Sequence, residues 1–136
     1  MKNKEITVVK EFTFESAHRL PEYKGKCRNI HGHSYKLLVG YKGPINEDTG
    51  MVIDFSIVKK IVEEEIVDVL DHKMLNDVKD VSGESFPYKC PTAENMIRWI
   101  VIKLRDEGKM PSIFVNLEFI RLYETETSYA EWRKEC

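Results

Sequence analysis

An alternation that ends in histidine is the strongest constraint on what this chain can fold into. Ile6, Val8, Phe12, Phe14, Ser16 and His18 share one side of an extended backbone over residues 5–19, with Lys10 as the exception. Val9, Glu11, Thr13, Glu15 and Arg19 share the other. A period of two marks a strand with one buried face. A second strand is expected over roughly Gly32 to Lys42. His31, His33, Tyr35, Leu37, Val39 and Tyr41 fall on one of its faces. Gly43-Pro44 is expected to break it. Between the two strands, Pro21 to Cys27 reads as a loop.

Past a turn-rich connector at 44–50 the period changes. Asp54 or Ser56 can cap a helix whose apolar positions, from Phe55 to Leu70, form a broad stripe at helical spacing. Glu63, Glu64 and Glu65 in its middle read as a solvated face. Residues 71–91 are irregular. Thr92 caps a second helix, Ala93 to about Glu107, which Gly108 ends. Ile113 to Tyr123 alternates as a third long strand, and a short one follows at about Thr127 to Arg133. The order β-β-α-α-β-β predicts an α+β fold, an antiparallel four-stranded sheet with two helices on one face. No repeat or linker divides the 136 residues, so 1–136 is expected to be a single domain.

Composition narrows the function. With 42% hydrophobic and 32% charged residues, the chain is expected to be globular. A net charge of −2 argues against a general nucleic-acid binder. No apolar run approaches the roughly 20 residues of a membrane span, and residues 1–12 show no secretory core. Cysteines at 27, 90 and 136 are odd in number and scattered, so no disulfide framework is expected and a cytoplasmic location is the default.

There are only four histidines, at 18, 31, 33 and 72. His31 and His33 are two apart on a strand, so their rings project from one face. If the first two strands pair as a hairpin, His18 lies beside them. Three imidazoles with an open fourth position make a catalytic zinc arrangement. Cys27, four residues before His31, has three readings: a fourth ligand closing a structural site, a thiolate base or nucleophile, or an inert buried thiol. Asp71 precedes His72 and can orient it for proton transfer. Around the histidines, His18 to Lys36 carries Arg19, Lys24, Lys26, Arg28 and Lys36 against Glu22 alone. Such a loop suits a polyanion such as a phosphate ester. Thr92 and Glu94 need only a helix-start explanation. Glu124, just past the third long strand, can accept paired N–H donors from a guanidine-like ring edge.

Six motifs occur together in this order: F-x-F-E-S-A-H-R-L at 12–20, C-x-x-x-H-G-H-S-Y at 27–35, V-I-D-F at 52–55, L-D-H-K-M-L-N-D at 70–77, P-T-A-E-N at 91–95 and Y-E-T at 123–125. Together they resemble the 6-pyruvoyl-tetrahydropterin synthase family, and most closely its bacterial and archaeal branch, the 6-carboxy-5,6,7,8-tetrahydropterin synthases of queuosine biosynthesis. The resemblance covers about residues 5–125. It implies the tunnelling fold and a homo-oligomer, a trimer or a dimer of trimers, with active sites between subunits. It implies zinc on His18, His31 and His33, Cys27 as the catalytic thiolate base, and a proton relay through Asp71 and His72 that acts with Cys27 of a neighbouring subunit. Glu124 would hold the pterin, with Thr92 and Glu94 lining its pocket.

The implied substrate is 7,8-dihydroneopterin triphosphate, with zinc as a Lewis acid on its side-chain hydroxyls. The implied products are 6-carboxytetrahydropterin, acetaldehyde and triphosphate, which makes the enzyme a lyase. The biopterin branch would give 6-pyruvoyltetrahydropterin instead. A folate-linked branch uses a glutamate near the cysteine position. No acid lies between Cys27 and His31, which disfavours it. A rival of another class is a non-catalytic pterin-binding zinc protein with Cys27 as fourth ligand. Tyr129 and Trp132 of the 125–136 tail read as packing.

Overall fold

A computed structural model describes residues 4–107 and 116–135. The long strands β1 (Glu5–His18) and β2 (His31–Pro44) form an antiparallel hairpin. Pairing runs without a slip from Glu5↔Pro44 to His18↔His31. After β2 come helix α1 (Phe55–Val62), a wider π-type stretch over Glu63–Val67, a last turn α2 (Asp68–Leu70), and a two-residue strand β3 (Lys73–Met74). Helix α3 (Ala93–Val101) and strands β4 (Asn116–Thr125) and β5 (Ser128–Arg133) complete the order. The sheet order is β3-β1-β2-β4-β5.

The alternation places the core. Phe12 and Phe14 of β1, Tyr35, Leu37, Val39 and Tyr41 of β2, and Ile120 and Leu122 of β4 are buried on one face of the sheet. Val58, Val62, Ile66 and Leu70 from the first helical segment cover them, with Met96, Ile100 and Leu104 from the second. Each such side chain contributes about 1.5–3 kcal/mol on burial. That stripe therefore fixes the helix orientation and leaves Glu64 in solvent. Asp54 is the residue that caps α1, accepting the Ser56 N–H at 2.8 Å. Thr92 caps α3, its Oγ1 accepting the Asn95 N–H at 3.2 Å.

The fold class is the expected α+β tunnelling fold, with four differences of detail. The sheet has five strands, not four, and is mixed: β3 runs parallel to β1 through Ser16↔Lys73 and Ala17↔Met74. Gly43-Pro44 does not break β2, because Pro44 is its terminal residue, where a missing N–H costs little. Regular helical bonding in the second helix ends at Val101, and a wider turn continues over Ile102–Asp106. Glu124 lies inside β4 rather than past its end. Trp132 packs against the core and pairs with Ile120, as expected of packing. The expected helix end at Gly108, the strand start at 113–115 and Cys136 lie outside the described residues.

Candidate metal centre and active site

The hairpin register puts His18 directly across from His31, with His33 two residues further along the same face. The three rings meet edge to face, with centroids 4.6, 5.1 and 4.9 Å apart. One nitrogen from each lies within 4.8 Å of the others, and Cys27 is not in that cluster. His18 is fully buried. Its Nδ1 donates to the Pro91 carbonyl at 2.8 Å, and the Nδ1 of His31 donates to the Asn29 carbonyl at 2.8 Å. Both rings thereby present an unprotonated Nε2. These two Nε2 atoms are 3.0 Å apart. Burial pushes the pKa of His18 down, and the Pro91 carbonyl opposes this less strongly. Burial also lowers that of His33, against the nearby Glu124 charge.

A divalent cation fits this donor set. Two imidazole lone pairs facing each other at 3.0 Å repel unless a cation lies between them or one ring changes tautomer. The Nε2 of His33 is buried and makes no hydrogen bond. Tetrahedral zinc with about 2.0–2.1 Å bonds holds its nitrogen ligands roughly 3.3 Å apart, which these rings reach with small adjustments.

Cys27 sits in a single helical turn, Lys26–Arg28, where its carbonyl accepts the Leu20 N–H at 2.8 Å. The thiol is partly buried. Asp71 and His72 do touch: Oδ1 lies 3.0 Å from the His72 Nδ1. The same Oδ1 accepts the Glu15 N–H at 2.9 Å, and the Glu15 carbonyl accepts the His72 N–H at 2.5 Å. One residue of β1 thus grips both members of the pair. His72 takes a left-handed φ of 58° to do so, a conformation that histidine tolerates better than most residues. The Glu15 N–H is the main cause of a lowered pKa at Asp71, which keeps it anionic. The imidazole of His72 is 78% exposed. It lines an open pocket of about 490 Å³ with His33, Gly32, Lys73 and Met74.

Glu124 points from β4 toward the histidines, with Oε1 3.4 Å from the Nε2 of His33. With Glu94, Ser128 and Ala130 it lines a pocket of about 390 Å³. Thr92 spends its hydroxyl oxygen on the helix cap. Arg19, Lys24, Lys26, Arg28 and Lys36 are all exposed. The contribution missed from the sequence is that of the backbone carbonyls of Asn29 and Pro91. They orient two histidines, and a main-chain acceptor carries no residue-type signal.

A five-stranded mixed sheet backed by two helices, with three histidines gathered at one end of its long hairpin, defines a known class of protein. The 6-pyruvoyl tetrahydropterin synthase family profile matches residues 7–135, and the chain belongs to that family of lyases. Two relatives named 6-carboxy-5,6,7,8-tetrahydropterin synthase are similar over nearly the whole chain. The Synechocystis protein is 37% identical, covering 92% of this chain and 91% of its own. The Haemophilus influenzae protein is 34% identical, covering 93% and 98%. The solved structure of Caenorhabditis elegans 6-pyruvoyl tetrahydropterin synthase superposes with a TM-score of 0.80. It is 26% identical and covers 99% of this chain and all of that one.

Proposed function

We propose that this protein converts 7,8-dihydroneopterin triphosphate to 6-carboxy-5,6,7,8-tetrahydropterin, acetaldehyde and triphosphate, as a zinc-dependent step of queuosine biosynthesis in the cytoplasm. The observation that carries the reading is the histidine cluster: two Nδ1 atoms are committed to backbone oxygens, the two Nε2 atoms of those rings lie 3.0 Å apart, and a nitrogen of His33 lies within 4.8 Å of the cluster. The names of the relatives above support the choice of product.

His18, His31 and His33 hold the zinc, which supplies Lewis acidity toward substrate oxygens when bound. Cys27, as thiolate, removes a proton from the substrate side chain. Asp71 stays ionised and holds the His72 Nδ1 as a donor, which leaves Nε2 free to exchange protons with substrate. Glu124 accepts hydrogen bonds from the pterin edge, in the pocket it shares with Glu94, and the Thr92 cap fixes the helix start beside it. The exposed bases of residues 19–36 meet the triphosphate. A second reading, the pyruvoyl product from the same site, draws on the C. elegans structure.

Mass spectrometry of the products from zinc-loaded protein tests this. Carboxypterin with acetaldehyde is the expected result. A pyruvoyl product moves the chain to the second reading, and unchanged substrate overturns both. Cys27→Ala is expected to keep zinc and lose turnover. Loss of the metal in that variant would make Cys27 a ligand instead.

A further inference from the structure

The backbone around Pro91 is held by more bonds than a loop end requires. The Thr92 N–H donates to the Cys90 carbonyl at 2.9 Å, closing a three-residue turn centred on Pro91. The proline ring fixes φ at about −65°, close to what that turn needs. The side chain of Asn95 donates from Nδ2 to the same Cys90 carbonyl at 2.9 Å. Arg98 donates from Nη1 to the Asn95 Oδ1 at 3.1 Å, and its guanidinium lies 4.4 Å from the centre of the Tyr88 ring. The Arg98 bond decides how the amide faces: Oδ1 accepts there, so Nδ2 must face Cys90. The first turn of α3 therefore clamps the turn whose Pro91 carbonyl receives the His18 Nδ1 proton. The helix cap does not depend on the Asn95 amide, because Thr92 Oγ1 accepts its backbone N–H.

We propose that Asn95 is a positioning residue for the metal centre. Through the Cys90–Thr92 turn it holds the Pro91 carbonyl on His18, and so selects the tautomer whose Nε2 faces the metal. The inference rests on the reading of the three histidines as a metal site. Partners one step beyond metal ligands typically set affinity by about 10–100-fold. Asn95 acts one step further out, at the low end of that range.

The test uses full-length wild type, Asn95→Asp and Pro91→Ala, each stripped of metal. Zinc affinity is measured against a chromophoric chelator, and the visible spectrum is recorded with cobalt(II). Asn95→Asp keeps its size and its contact with Arg98, but sets an acceptor against the Cys90 carbonyl. Its zinc affinity is expected to fall about tenfold, with an altered cobalt spectrum and unchanged far-ultraviolet circular dichroism. Pro91→Ala keeps the carbonyl and every side-chain bond but frees φ, and should shift both readouts the same way by less. A folded Asn95→Asp with wild-type affinity and spectrum overturns the proposal. If Asn95→Asp does not fold, Asn95→Ala, which removes the amide clamp and leaves the Thr92 cap, decides alone, and wild-type values there overturn it. A wild-type protein that binds neither metal overturns the metal reading itself, a result distinct from an unaffected variant.

Discussion

His18 is neutral by construction, and that makes the metal-free protein sensitive to mild acid. Burial holds its pKa below the free value of about 6.5, and His33 shifts the same way. Below pH 6.5 the unfolded chain binds protons that the folded chain refuses, so stability falls as pH drops through that value. The metal-free protein is therefore expected to have a lower urea midpoint at pH 5.5 than at pH 7.5, and His18→Gln should reduce the difference. Equal midpoints in the wild type would contradict a buried neutral histidine. A second prediction at this scale lies away from the site. The side chains of Lys103 and Asp80 are 7% and 5% exposed and form an ion pair, which Glu107 joins at 3.1 Å. Lys103→Met leaves the Asp80 carboxylate buried without its cation. It should cost about 3 kcal/mol in a denaturant titration, with zinc content unchanged. A loss near zero would mean that Ser82 and the Glu84 N–H satisfy Asp80 unaided.

At the scale of elements, the β2–β4 pairing carries its own constraint. Its register shifts between Gly40 and Tyr41, and a Cβ at Gly40 would run into the Phe119 ring. The Arg133 guanidinium also lies over that ring, 4.8 Å from its centre. Gly40→Ala should cost about 1–3 kcal/mol by overpacking, read as a lowered melting temperature. An unchanged melting temperature would show that Phe119 can swing aside. The elements legible in the sequence were those with a sustained period. Fourteen-residue strands and a helical stripe leave many residues to agree with one another, and His31 and His33 inherit their shared face from that agreement. The two-residue β3 has no period to read. The wide turns at Glu63–Val67 and Ile102–Asp106 keep the helical apolar spacing, so the stripe looks unbroken. In the site, histidine, cysteine and acid positions were legible because their chemistry is rare. The backbone oxygens that aim the histidines were not. Asp71 and His72 touch only because a residue 56 positions away grips them.

The whole molecule has open edges. Among the described residues, β5 pairs only with β4, and β1 meets β3 only at Ser16 and Ala17. Ile45, Met51, Phe55 and Ile57 are apolar and exposed. Edges of this length invite another strand, and closing the sheet with further copies removes them. The family resemblance implies a trimer or a dimer of trimers, so sedimentation is expected to give about three or six times the 15.9 kDa chain mass, and a monomer would rule out the closed assembly. A shared site makes a sharper demand. His72 faces an open pocket that Cys27 does not line. If the Asp71-His72 pair of one subunit serves the Cys27 of the next, Cys27→Ala and His72→Ala proteins are each inactive alone. Denatured together and refolded, they should recover about a quarter of wild-type activity, the random-mixing fraction for sites shared around a closed ring. A mixture as inactive as its parts would place thiol and relay within a single subunit. The oligomer would then serve to cover edges, with no part in the chemistry.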